Sequence, residues 1–278
     1  LPDSVTAIGD DAFNNCSNLE SVNIPVGVTS IGQYAFNGCS SLNSIVIPDS
    51  VTELGSYVFS NCTGLSSVKV GSGVKVLPSS AFRACRSLVN IELPDSITSI
   101  EPWAFSYCFN LTEIQLPQNL KKIGGGAFYN CAWMENIVIP DSVTSIGNEA
   151  FSLCDKLTVS VPASLTNIGT NAFLGCKDVI FRTTDTDNPF DIQNGVLVRY
   201  LGNDANVVVP DSVTAVGKGA FSNLTFIKSV TLPDSVTTIG DDAFNNCSNL
   251  ESVNIPDGMN SIGQNAFYGC RSLSSIVI

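Results

Sequence analysis

Ile146-Gly147-Asn148-Glu149-Ala150-Phe151-Ser152-Leu153-Cys154, within residues 142–168, is the stretch whose reading decides the fold. On both sides of it the same order returns: Ile or Leu with Gly, two variable residues, Ala-Phe, two variable residues, Cys, then Leu and a Val/Ile-x-Ile-Pro run. The phenylalanines stand at Phe13, Phe36, Phe59, Phe82, Phe105, Phe128, Phe151, Phe173, Phe221, Phe244 and Phe267, spaced by 23, 23, 23, 23, 23, 23, 22, 48, 23 and 23 residues. A unit of this size cannot bury its own apolar face and must stack on a neighbour, so a fixed period in this range predicts a solenoid.

Residues 1–23 show how one coil is made. Leu19, Val22 and Ile24 follow the Leu-x-x-Leu-x-Leu spacing of leucine-rich repeats, which predicts a short strand whose residues beside Val22 point outward. Pro25 ends that strand, and Pro-Asp-Ser or Pro-Val-Gly turns the chain with a fixed proline φ and side chains that bond the local backbone. Val5 and Ile8 then face inward from a second short extended piece. Gly9 supplies a permissive backbone, and Asp10 or Asp11 is placed to cap a turn or two of helix presenting Ala12, Phe13 and Cys16 to the core. The expected architecture is an α/β solenoid over residues 1–278: eleven units in one right-handed coil, with a parallel β-sheet on the concave face and short helices or turns on the convex side.

The pattern falters in two places. Unit seven lacks one residue between Leu157 and Val161, which predicts a strand slightly out of register. Between Cys176 and Pro210 the repeat gives way to a polar linker over residues 185–190 and two alternating stretches joined by Asn194-Gly195, a strong two-residue hairpin signal. Residues 185–209 are therefore expected to form an inserted β-meander. Beyond it, residues 232–278 copy residues 1–47 with eight differences in 47 positions, leaving 39 identical, as a recent duplication of whole repeats would.

Composition removes several functions. Lys and Arg total 13 against 25 Asp and Glu, a net charge of -12, and no basic stripe offsets it, so nucleic acid is not an expected partner. Lys121-Lys122 and the pair Arg83 and Arg86 are the densest basic spots and too small to serve that purpose. No apolar run reaches the roughly 18 to 20 residues of a membrane span, so this stretch is not expected to insert. The sequence opens and stops in mid-repeat without polar caps, which reads as a piece of a longer protein.

Chemistry is scarce. The sequence has no histidine, which removes the commonest general base, and no catalytic residue, cofactor or metal is expected. The paired acids Asp10-Asp11 and Asp241-Asp242 sit in the helix-capping slot. The stretch from Asp185 to Asn188 opens like a calcium loop, but Pro189 and the missing glycine and glutamate break the pattern. Ten cysteines occupy one column, three residues after the phenylalanine. Stacked coils hold neighbours about 5 Å apart, wider than the ~3.8 Å between bridged Cβ atoms, so the expected state is buried free thiols packing as small hydrophobes.

Units such as residues 47–65, with Ile47-Pro48-Asp49-Ser50-Val51-Thr52 leading to Val58-Phe59-Ser60-Asn61-Cys62, resemble the BspA-like leucine-rich repeat of bacterial cell-surface proteins. The resemblance covers almost the whole chain. It implies a secreted or surface-anchored protein of a host-associated bacterium, used for adhesion or for binding extracellular or host proteins. It names no ligand, because the matching residues are those of the core.

Two surfaces are candidates for such binding. The concave strand face offers Asn90, Glu92, Glu113, Gln115 and Asn136, in a row that is mostly small and polar. Binding hot spots favour Trp, Tyr and Arg, which points instead to the aromatic region with Trp103, Tyr107, Phe109, Tyr129 and Trp133, and to Tyr200 of the insertion. The function expected is a non-enzymatic, monomeric adhesion or protein-binding module. The alternative is a passive spacer that holds another domain away from the cell, which the bland strand face and the recent duplication also suit.

Overall fold

A computed structural model describes residues 1–162, 164, 165, 167–182 and 188–277. It contains two compact units, Leu1–Lys177 and Asp178–Ile278. The carboxylates of the calcium-like stretch, Asp185 and Asp187, lie outside the described residues.

In the first unit three backbone ladders join the coils. The first is formed by the Leu-x-x-Leu-x-Leu strands: Ser44–Ile47, Ser67–Val70 and Asn90–Glu92 run parallel in register, as do Asn136–Val138 and Thr158–Pro162. Their burial alternates along Ser44–Ile47, with Ile45 and Ile47 inside and Ser44 and Val46 outside, as period two requires. The second ladder is made of two-residue strands such as Ala7–Ile8, Ser30–Ile31 and Glu53–Leu54, each placing its Ile or Leu toward the core. Between the two ladders a proline-led turn closes, as where the Val5 N–H donates to the Pro2 carbonyl at 3.1 Å.

The third ladder replaces the helices expected on the opposite side; among the described residues none forms. Glu149, Phe151 and Leu153 donate their N–H groups to the carbonyls of Thr170, Ala172 and Leu174 in the next coil, at 2.9, 2.7 and 2.8 Å. A helix would have directed those donors along its own axis. Two residues per coil make the sideways bonding possible by adopting the left-handed conformation, two before and two after the phenylalanine: Glu149 (φ 57°) and Leu153 (φ 61°) in this coil, Asp11 and Asn15 in the first. The acids expected to cap helices serve the same lateral bonding, since Asp10 Oδ1 accepts the Gln33 N–H at 2.7 Å and Asp241 Oδ1 the Gln264 N–H at 2.8 Å. The glycine before this segment is needed for closeness more than for φ: a Cβ on Gly147 would lie 2.4 Å from the Gly125 nitrogen.

The core is a stack of phenylalanines. From Phe13 to Phe173 neighbouring rings lie 5.0 to 5.7 Å apart and within 14° of parallel. Beside them runs the cysteine column as free thiols, and from Cys39 onward they donate to the phenylalanine carbonyl of the preceding coil, such as Cys62 to Phe36 at 3.0 Å and Cys154 to Phe128 at 3.1 Å. Burial pushes the Cys108 thiol up to about 12, so that thiol stays protonated and able to donate. The shortened unit seven is in register after all, with Asn136, Ile137 and Val138 opposite Thr158, Val159 and Ser160. The lost residue is absorbed in the link after Leu157, because slipping the strand would turn its buried face outward.

The second unit corrects the expected meander. Phe190–Gln193 and Val196–Tyr200 do form an antiparallel hairpin, and Asn194 (φ 53°) with Gly195 (φ 79°) makes the turn. The third strand does not join it: Asn206–Val208 runs parallel to Ser229–Thr231 in the first-ladder position. Val196 and Leu197 pair in parallel with Ala215 and Val216 in the second-ladder position. Tyr200 then takes the phenylalanine's place, its ring 5.6 Å from Phe221 and its N–H donating to the Ala220 carbonyl at 3.0 Å. The interruption is thus a remodelled coil with one extra strand, followed by the regular stack Phe221, Phe244 and Phe267.

Candidate functional site

The turn segments of three successive coils build one aromatic cluster. Trp103 and Tyr107 flank the buried Phe105 and share the left-handed φ of 62° that the third ladder imposes at both positions. The Tyr129 ring, one coil further, lies 5.6 Å from each of them, edge to face, and Phe109 lies 6.1 Å from Tyr107 in the same manner. Edge-to-face contact is the favoured geometry of paired rings and fixes them at the surface. Trp103 is seated on Gly126, where an added Cβ would come within 2.3 Å of the indole ring. Trp103 remains 38% exposed. Packing and the neighbouring Tyr107 and Glu149 raise the Tyr129 phenol above its ordinary value, so it stays a neutral donor.

Two arginines from the preceding coil complete the cluster. The Arg83 guanidinium lies over Tyr107 at 5.5 Å and Arg86 over Phe109 at 5.7 Å. Neither forms an ion pair among the described residues, whose salt bridges are Lys69 with Glu92 and Lys122 with Glu101. Trp133 is 52% exposed and carries Lys156 on its ring at 3.5 Å, with no ring contact to the cluster among the described residues. Sequence reading found the rings and set the cations aside, although the period itself could have paired them. Arg86 and Phe109, like Lys156 and Trp133, are 23 residues apart and so are neighbours in one column.

The other candidates are distributed differently. Asn90, Glu92, Glu113, Gln115 and Asn136 all stand exposed on the first-ladder face. Glu92 pairs with Lys69 at 3.2 Å, and Glu113 bridges Asn136 through the backbone. These side chains form an open polar row. Tyr200 is 1% exposed, and its hydroxyl donates to Asp204 Oδ2 at 3.0 Å, so its ring belongs to the core rather than to a binding surface. Among the described residues no group of three or more Cys, Asp or Glu is placed to hold a metal, and no helix is long and apolar enough to cross a membrane.

Comparison with known proteins bears on the repeat. The model of the BspA type leucine rich repeat region matches residues 1–86, 65–180 and 200–278 in six copies. A leucine-rich repeat protein from Bacteroides ovatus is 31% identical, with a TM-score of 0.73 over 99% of this chain and 71% of its own. A leucine rich cell surface protein from Faecalibacterium prausnitzii is 28% identical, with a TM-score of 0.55 over 90% of this chain and 83% of its own. No curated protein matches. With the repeat model matched over most of its length and the three-ladder coil in place, the chain belongs to the BspA-type leucine-rich-repeat family.

Proposed function

We propose that this chain is a non-enzymatic protein-binding module of a bacterial cell surface, engaging extracellular or host proteins as a monomer. The observation that carries the reading is the cluster of Trp103, Tyr107, Phe109 and Tyr129 with Arg83 and Arg86. These are the residue types that dominate binding hot spots, and here they are fixed by one another before any partner arrives. The surface setting is supported by the family and by the Faecalibacterium relative, which is described as a cell surface protein. The non-enzymatic reading is supported by the lack of histidine and by the use of acids such as Asp10 and Asp241 as acceptors between coils.

The passive spacer is the second reading, favoured by the near copy of residues 1–47 in residues 232–278, which repeats a surface without changing it much. Immobilised chain exposed to plasma and matrix proteins separates the two. Saturable capture of a protein that is lost in Trp103→Ala/Tyr107→Ala supports the module. Capture that is equal for the wild type, this variant and an unrelated solenoid of the same charge supports the spacer.

A further inference from the structure

We infer that the aromatic cluster is an anion-reading surface and that its partner is an acidic peptide segment, bound through carboxylates to Arg83 and Arg86 and through aromatic side chains to Trp103 and Tyr129. This deepens the protein-binding reading and rests on it. The turn segments that form the cluster, residues 78–88, 101–111 and 124–134, contain two arginines and a single acid, Glu101. That acid is engaged by Lys122 at 3.2 Å. One further acid, Glu149 of the next coil, neighbours Tyr129, and in a chain of net charge -12 the two arginines stand beside the rings as cations with no ion pair among the described residues.

Geometry selects the kind of anion. A guanidinium is a planar fork of N–H donors that matches the two oxygens of a carboxylate, and here one lies over each of two rings. Contact with the rings also takes part of the entropic cost of ordering the arginine side chains before binding. An anionic sugar chain is the competing partner, and sugars stack on open ring faces. Here Arg83 already lies over Tyr107, and Arg86 over Phe109. Tyr107 is further enclosed by Tyr129 and Phe109. What remains open is the Trp103 indole, 38% exposed, in the same cluster as the two guanidinium groups, which suits alternating acidic and aromatic side chains.

The probe is an octapeptide of alternating Glu and Tyr, titrated into the whole chain at low salt and followed by tryptophan fluorescence and calorimetry. Saturable binding is expected, weakened at least tenfold in Arg83→Ala/Arg86→Ala and restored in part by Arg83→Lys/Arg86→Lys. It should weaken as salt rises, because exposed charges are screened. A Lys-Tyr octapeptide should not bind. Circular dichroism and the unfolding midpoint establish that each variant is folded. Three results would overturn the inference: no binding of the Glu-Tyr peptide to folded wild type, binding unaffected by the double arginine substitution, or preference for a sulfated oligosaccharide over the peptide at the same residues. A captured extracellular protein that depends on Trp103 but not on the arginines would sink the acidic partner while leaving the protein-binding module standing.

Discussion

Leu153 is a large aliphatic residue held at φ 61° on the surface, in a column that elsewhere reads Asn or Gly at eight positions (Asn15, Gly38, Asn61, Asn130, Gly175, Asn223, Asn246 and Gly269) and otherwise Ala84 and Tyr107. The left-handed region costs a residue with a Cβ about 1–2 kcal/mol, because that atom crowds the following carbonyl oxygen, and asparagine tolerates it best among residues with a side chain. Leu153→Asn should therefore raise stability by about 0.5–1 kcal/mol, seen as a higher urea midpoint; an unchanged or lower midpoint would refute the assigned backbone. Asp49 makes a second prediction at this scale. Its carboxylate accepts the Ser72 N–H at 2.7 Å, and that bond, with the hydroxyl of Ser72, holds it below the usual carboxylate range. A depressed folded value means stability that is present above the unfolded carboxylate pKa of about 3.9 and lost as pH falls through the lower folded value. Asp49→Ala should thus unfold earlier than wild type at pH 7, with the gap closing as pH falls through the lowered folded value, and a gap independent of pH would show the carboxylate idle.

At the scale of the element, one coil is a set of donors aimed at its neighbours, and its side chains follow. Phe128 is fully buried between Phe105 and Phe151, at 5.2 and 5.1 Å. Phe128→Ala leaves a cavity in the stack and should cost about 3–5 kcal/mol, read from chemical unfolding; a midpoint within error of wild type would show that the column is not packed as described. The thiol ladder gives an independent check. Eight cysteines, Cys39 to Cys176 and Cys247, are buried, while Cys16 is exposed. A thiol reagent at pH 8 should modify Cys16 in the native protein and the buried eight only after denaturation without reductant, with mass spectrometry assigning the sites. Rapid native labelling of Cys108, whose thiol burial pushes up to about 12, would contradict the ladder.

Over the whole molecule, stability should behave as a sum of coils and their interfaces. Deleting residues 44–66 removes one period and joins Asn43 to Ser67, the same column position as Ser44. The shortened protein should keep its circular dichroism per residue and unfold at a lower midpoint; collapse to an unfolded chain would show that the array is not modular. The remodelled coil of the second unit is a different case, because Tyr200 and the second hairpin strand take repeat positions while the first hairpin strand, Phe190–Gln193, has no counterpart in the repeat. There a deletion has no register-preserving cut to follow.

The period, the strand-turn-strand order, the buried Phe and Cys columns and the ring-rich region near Trp103 were legible in the sequence, because stacking makes each core position repeat at a fixed spacing. The absence of helix was also written there, in the Asn and Gly residues two places after the phenylalanine, but an Ala-Phe-x-x-Cys segment reads as amphipathic helix unless that column is weighed. Tyr200 and the hairpin could not be placed from sequence: alternation and Asn-Gly announce two antiparallel strands, yet which neighbours the second strand and Asn206–Val208 join is a long-range choice. The candidate site divides the same way. Composition put aromatic residues at Trp103, Tyr107 and Trp133, and the period sets Arg86 against Phe109, while only the tertiary structure decided that Arg83 lies on Tyr107, one place off its column, and that Tyr200 is buried, since such contacts depend on register and backbone handedness rather than on nearness in the chain.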